Sequence, residues 1–167
     1  QFLEKVLGVV SQSTHIFNGT VLENIAFDDV KHKLKDVLNF IHDKGFTKFI
    51  ESLPQSYNTI IGEEGINLSG GQKQMISIMR ALYFKPQLLI LDEATSAMDR
   101  KSEKFVFSLL QRLKNELAII LITHKLHSLR TLCDNIYVIE DGIISASGDH
   151  QSVVNTNNFY SKSWDVV

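Results

Sequence analysis

Leu68-Ser69-Gly70-Gly71-Gln72 and, about one helix later, Leu88-Leu89-Ile90-Leu91-Asp92-Glu93 are the two stretches on which the reading of this chain turns. In the first, a serine able to cap a helix precedes two glycines that let an anion approach the backbone closely. A helix N-terminus, with its free N–H groups and positive dipole end, is a phosphate-binding element. In the second, four consecutive aliphatic residues read as a parallel strand covered on both faces, ending in two carboxylates. Ligands of α/β sheets bind at the carboxyl edge of the strands. There Asp92 suits a Mg²⁺ ligand, and Glu93 suits the group that orients or deprotonates an attacking water. Each stretch alone has an ordinary reading, a capped turn or a strand ending in solvated charge. Their order and spacing together point to phosphoryl chemistry.

The 167 residues are enough for one domain with a core. Hydrophobic residues make up 44% and charged residues 22%, a soluble globular composition. The net charge of −2 provides no basic surface, so nucleic acid is not an expected partner. The single cysteine, Cys133, excludes an intrachain disulfide and fits a reducing compartment. No apolar run approaches the roughly 20 residues that span a bilayer, and no signal peptide is recognisable. The chain opens on Gln1, and no Gly-x-x-x-x-Gly-Lys-Ser/Thr loop occurs anywhere in it. That loop normally cradles phosphates with its N–H groups. The expectation is the later part of a nucleotide-binding domain, cut away from its main phosphate grip.

Periodicity organises the rest. Residues 6–10 read as a strand leading to Ser11-Gln12. Residues 31–44 read as an amphipathic helix carrying Leu34, Val37, Leu38 and Ile41, stopped by Gly45. Phe46, Phe49, Ile50 and Leu53 repeat the pattern before Pro54, and 55–67 is turn-rich. A helix over 69–84 turns Met75, Met79, Leu82 and Tyr83 inward until Lys85-Pro86 breaks it. A helix over 101–115 buries Val106, Leu109, Leu110 and Leu113, and 117–122 reads as the next buried strand. Residues 135–140 and 143–147 form a hairpin around Asp141-Gly142, and the tail from Asp149 holds one short helix candidate. The expected division sets a helical segment, 13–86, into a core built from 1–12 and 87–167.

Three further residues acquire meaning from this frame. His124 follows a strand as Asp92-Glu93 does, and from there can hydrogen-bond a γ-phosphate. Gln12 follows the first strand, where its amide can reach Mg²⁺ or the attacking water. Asp99 reads as a helix N-cap.

These residues resemble, in order and over essentially the whole chain, the ATP-binding domain of ABC transporters. Leu68 to Gln72 is similar to the family signature, and Leu88 to Glu93 to the Walker B strand. Ala94 to Asp99 resembles the D-loop, Ile122-Thr123-His124 the switch-histidine segment, and Gln12 the Q-loop glutamine. Ile16-Phe17-Asn18-Gly19-Thr20-Val21-Leu22-Glu23-Asn24-Ile25 and the loop 58–65 resemble exporter segments that lie near the coupling helices of the membrane domain. Bacterial peptide, lipid and drug exporters are the nearest in character. Ser11 stands where many relatives have Pro, and Met98 where Leu is usual. The Walker A loop and the upstream aromatic that stacks on adenine have no counterpart in these residues.

The resemblance implies an α/β fold: a partial P-loop NTPase (ABC ATPase) core with a parallel sheet and an inserted helical subdomain. The phosphate-loop strand would be missing from beside the strand that ends at His124. It implies ATP and Mg²⁺, with Asp92 and Gln12 on the metal and Glu93, His124 and Gln12 as catalytic residues. Ser69, Gly70, Gly71, Gln72 and Asp99 would serve nucleotide binding across a head-to-tail dimer. The implied partners are a second nucleotide-binding domain and a transmembrane domain, at the cytoplasmic face of a membrane. Other readings are the ATPase of an importer, of a soluble ABC translation factor or of an SMC-like chromosome protein. A further one is a non-catalytic fragment that binds ATP weakly or not at all.

Overall fold

The computed structural model describes residues 6–63, 65–126 and 129–164. The first five residues assigned above to the core, and Glu64 in the loop before the signature, lie outside the described residues. The chain divides into two compact units, one through Ile122 and one from Thr123. In chain order the first holds β1 (Leu7–Val10), β2 (Gly19–Thr20), α1 (Val21–Ala26), α2 (Asp29–His32), α3 (Leu34–Asp43) and α4 (Thr47–Glu51). A 3₁₀ turn (Ser56–Asn58), β3 (Ile60–Ile61), α5 (Gly70–Tyr83), β4 (Leu88–Asp92), α6 (Arg100–Leu113) and β5 (Ala118–Ile122) complete it.

β1, β4 and β5 make a parallel sheet in that order. β4 is central: Leu89 and Leu91 are fully buried, as is Val10 on β1. Its register sets Val10 opposite Leu91, Leu91 opposite Leu121 and Asp92 opposite Ile122. β5 departs from the expected buried strand. Its residues alternate between exposed and half-buried, with Ile120 47% and Ile122 50% exposed. The reason is its position: it pairs with β4 on one side and is an edge among the described strands.

The segment 13–86 shares a unit with the sheet because α5 packs against both β1 and α1. α1 went unanticipated although its signal, Thr20-x-x-Glu23, is a capping box. Thr20 N–H donates to Glu23 Oε2 at 2.7 Å, and Glu23 N–H donates to Thr20 Oγ1 at 3.2 Å. The Thr20 backbone N–H is also the main reason the Glu23 carboxyl sits below its ordinary pKa. The single helix expected over 31–44 is two, α2 and α3, separated at Lys33, whose φ of −134° and ψ of 35° leave the helical region. Val37 and Ile41 of α3 are buried, while Leu34 and Leu38 remain substantially exposed. β2 pairs with β3, and Val21 N–H donates to Thr59 O at 2.9 Å, so the two exporter-like stretches lie side by side.

One buried polar hub ties this region together. Asn24, fully buried, donates to Phe17 O (2.9 Å) and Thr20 O (3.1 Å) and accepts from Phe17 N–H (3.1 Å). Arg80 on α5 donates to Asn24 O (2.7 Å), Asn24 Oδ1 (3.2 Å) and His15 O (3.0 Å). Its guanidinium lies 5.6 Å and 5.5 Å from the ring centroids of Phe17 and Phe27. Burial pulls its pKa down.

The second unit holds α7 (Leu129–Leu132), the hairpin β6 (Ile136–Glu140) and β7 (Ile143–Gly148), α8 (His150–Val154) and α9 (Phe159–Trp164). Asp141 and Gly142, both at positive φ, make the hairpin turn as expected. Asp149 caps α8, and the buried Tyr160 meets His150 Nδ1 at 2.8 Å through its hydroxyl.

Asn24→Ala leaves the Phe17 and Thr20 backbone groups and the Arg80 fork short of partners. Each orphaned buried group costs about 1–3 kcal/mol. We expect a loss of about 2–4 kcal/mol in urea unfolding; a loss within experimental error would show that water replaces the hub.

Candidate functional site

The parallel register decides which candidate residues meet. Gln12, exposed, lies two residues beyond Val10, and Asp92 is the half-buried last residue of β4. Both therefore leave the sheet at its carboxyl edge. Glu93 follows at φ 50°, in the left-handed region. For a residue with a Cβ this conformation costs about 1–2 kcal/mol and persists only where the surroundings hold it. Its N–H donates to Ile122 O at 3.0 Å, extending the β4–β5 ladder by one bond. Its Oε2 is shielded from solvent.

The start of α5 forms the second part. Ser69 is the N-cap, as its sequence position suggests: its Oγ accepts from Gln72 N–H at 3.2 Å. Gln72 closes the capping box, its Oε1 accepting from Ser69 N–H at 2.9 Å. A hydroxyl that accepts in this way keeps its own proton for an anion. The first-turn N–H groups of Gly70 and Gly71 have no carbonyl one turn below to reach. The two glycines also have a packing role that the anion argument did not contain. A Cβ on Gly70 would stand 2.9 Å from Ala97 Cβ, and one on Gly71 2.8 Å from Ala97 O and 3.2 Å from Met98 Cα. The start of α5 therefore touches the turn after β4 with almost no space between them.

Asp99 caps α6, accepting from Ser102 N–H at 2.8 Å, so the N-cap reading holds. That backbone N–H is the leading cause of its lowered pKa. His124 is exposed in the second unit, just after Thr123. Gln12, Asp92 and Glu93 thus share one edge, while Ser69 to Gln72 share a contact with the 97–98 turn.

Sequence reasoning passed over Gln74. It lies one helical stripe below Ile78 and Leu82, so its burial was legible from the i, i+4, i+8 spacing, but its partners were not. Those partners belong to the turn after β4: Glu93 O, Ser96 Oγ and Ala97 N–H.

Among the described residues no three His, Cys, Asp or Glu side chains converge into a metal cage. Mg²⁺ asks for less. It takes one or two protein oxygens and fills its octahedron with phosphates and water. One strand-end carboxylate, Asp92, with the Gln12 amide oxygen on the neighbouring strand's exit, fits that demand.

The sequence profile described as "ABC transporter" matches residues 1–96. The chain belongs to the ABC transporter family. It is 40% identical over 161 residues to the "ATP-dependent lipid A-core flippase" of Pasteurella multocida, a match covering 96% of this chain and 28% of that protein. It is also 40% identical over 161 residues to the "Leukotoxin translocation ATP-binding protein LktB" of Mannheimia haemolytica, covering 96% of this chain and 23% of the relative. The structure of a bacterial Atm1-family ABC exporter with ATP bound superposes with a TM-score of 0.84 at 32% identity, over 97% of this chain and 28% of that one. The chain thus spans between a fifth and a third of these relatives. Its fold is the expected α/β fold, a partial P-loop NTPase of the ABC type.

Gly71→Ala should drive a methyl into Ala97 O. Overpacking costs about 1–3 kcal/mol, against a helix-propensity gain of at most about 1 kcal/mol. A net loss in chemical unfolding is expected, and net stabilisation would refute the close packing. Asp99 generates a second expectation. Its folded pKa lies below the ordinary value of 3.8, so its capping contribution is present above that pH and is lost as pH falls through the folded value. NMR titration of the Asp99 carboxyl should give a midpoint below 3.8; an ordinary midpoint would contradict the cap.

Proposed function

We propose that this chain is part of the ATP-hydrolysing subunit of an ABC exporter, coupling ATP binding and hydrolysis at a head-to-tail dimer interface to substrate transport across a membrane. The observation that carries this reading is the parallel register that brings Gln12, Asp92 and Glu93 to one sheet edge, in a chain whose family signature opens α5. The similarity to an ATP-dependent flippase and to a translocation ATP-binding protein supports it.

The reaction is attack of water on the γ-phosphorus of ATP, which breaks its bond to the β–γ bridging oxygen and releases ADP and inorganic phosphate. Asp92 and the Gln12 amide oxygen would hold Mg²⁺, which would supply neutralisation of charge on the phosphate oxygens. Glu93 accepts the proton of the attacking water, and His124 hydrogen-bonds the γ-phosphate. Ser69 presents its hydroxyl, and Gly70 and Gly71 their N–H groups, to the nucleotide held by a second nucleotide-binding domain; Gln72 closes the capping box that sets them, and Asp99 bridges the two domains. ATP then binds the closed pair more tightly than the open one, and that difference is the coupling free energy. Residues 13–86 act as the helical signature subdomain of a core formed by 1–12 and 87–167. The other partner is the transmembrane domain of the same transporter, with this part at the cytoplasmic face. Among the described residues no helix is long and apolar enough to cross a membrane.

In the intact transporter, Glu93→Gln should slow hydrolysis by ~10²–10⁴-fold while ATP binding persists. Normal turnover would sink the assignment of the base. Calorimetric titration of Mg·ATP into the 167-residue chain tests what these residues bind by themselves: no heat of binding is expected, since they carry no Gly-x-x-x-x-Gly-Lys loop.

A further inference from the structure

Gln74 is 3% exposed, on α5 two residues beyond the signature. Its amide reaches three residues of a single turn. Nε2 donates to Glu93 O at 3.1 Å and to Ser96 Oγ at 3.0 Å, and Oε1 accepts from Ala97 N–H at 3.0 Å. The amide orientation follows from chemistry: only oxygen can accept from Ala97 N–H, and only nitrogen can donate to a carbonyl. Ser96 N–H closes the same turn onto Glu93 O at 3.1 Å. On the same helix, Gly70 and Gly71 press against Ala97 and Met98. The start of α5 and the turn 93–97 are thus joined at two levels, by glycine packing and by a buried amide clamp. Glu93 sits inside that clamp with a left-handed backbone that something must hold.

We propose that Gln74 is a positioning residue that holds the Glu93 backbone in its left-handed conformation and ties the signature end of α5 to the catalytic carboxylate of the same domain. A load on Ser69 to Gln72, which engage the nucleotide of the partner domain, is carried through the Gln74 amide to Glu93 and to the 96–99 turn. The two ATP sites are thereby linked through the interior of each domain as well as across the interface. The inference rests on the reading of Glu93 as the base. It adds a residue that acts from the buried side of α5, through the backbone of the turn after β4.

The test is steady-state ATPase activity of the intact transporter against Mg·ATP concentration, with folded fraction and Tm measured in parallel. Gln74→Met keeps the length and helix propensity of the side chain and removes every hydrogen bond of the clamp. Ser96→Ala removes one acceptor from a half-buried turn without opening the core. Misplacing a reacting group by about 1 Å costs on the order of 10²-fold. Gln74→Met should therefore lower kcat ~10–100-fold per folded molecule with KM for ATP changed less than about threefold, and Ser96→Ala should lower kcat by a few-fold. A fall in Tm with kcat per folded molecule unchanged makes Gln74 merely structural and overturns the proposal. If Gln74→Met does not fold, Ser96→Ala decides, and an unchanged kcat overturns it. Activity lost in Glu93→Gln but fully kept in both clamp variants overturns this inference alone. Activity kept in Glu93→Gln overturns the reading beneath it as well.

Discussion

β4 is the element on which the first unit depends, because it is hydrogen-bonded to a parallel neighbour on each side. Leu89 and Leu91 are fully buried, and a slip of one residue would turn both of them to the opposite face. That constraint fixes where the strand stops. Asp92 and Glu93 leave the sheet at its carboxyl edge because the two buried leucines leave them no other place. β1 obeys the same register, so Gln12 exits beside them. The chemistry proposed for these residues follows from the packing of residues that do no chemistry.

α5 joins this edge to the rest of the unit. Its far end anchors the 13–27 segment through Arg80 and Asn24, and its near end closes on the turn after β4 through Gly70, Gly71 and Gln74. A single helix therefore touches the exporter-like segment, the sheet and the turn that holds Glu93. Buried polar side chains are costly unless every group is partnered. Asn24, Arg80 and Gln74 are partnered across sequence separations of 19 to 65 residues. This pattern ties distant parts of the chain into one cooperative body rather than adding local stability.

The ordinary readings and the functional readings of several residues turn out to coexist. Ser69 and Asp99 are helix caps, as any serine or aspartate before a helix tends to be. Capping uses one lone pair of the Ser69 hydroxyl and orients the first-turn N–H groups outward, and an anion site needs that same arrangement. The capping boxes at Thr20 and Ser69 were both readable as short patterns. The Ser69 cap stands out because a long periodic helix follows it, whereas Thr20 sits before a helix of six residues with little periodicity to announce it. The break at Lys33 was invisible for the converse reason: Leu34, Val37, Leu38 and Ile41 continue a helical stripe that says nothing about where the helix begins.

Local physics was enough for the strands of the parallel sheet and the hairpin, the two fourteen-residue helices with their caps and the pair of motifs, because periodicity, capping chemistry and a run of aliphatic residues act over a few positions. The family was legible for the same reason, since its signature is a set of short strings in fixed order. What tertiary structure alone decided were the contacts between distant positions. β5 is a half-exposed edge among the described strands because exposure depends on neighbours, not on its own aliphatic residues. Gly70 and Gly71 gained a packing role because Ala97 and Met98 lie against them. Gln74, which sequence reasoning passed over, became the clamp on Glu93 because a buried amide must find partners, and the fold places three of them within 3.1 Å.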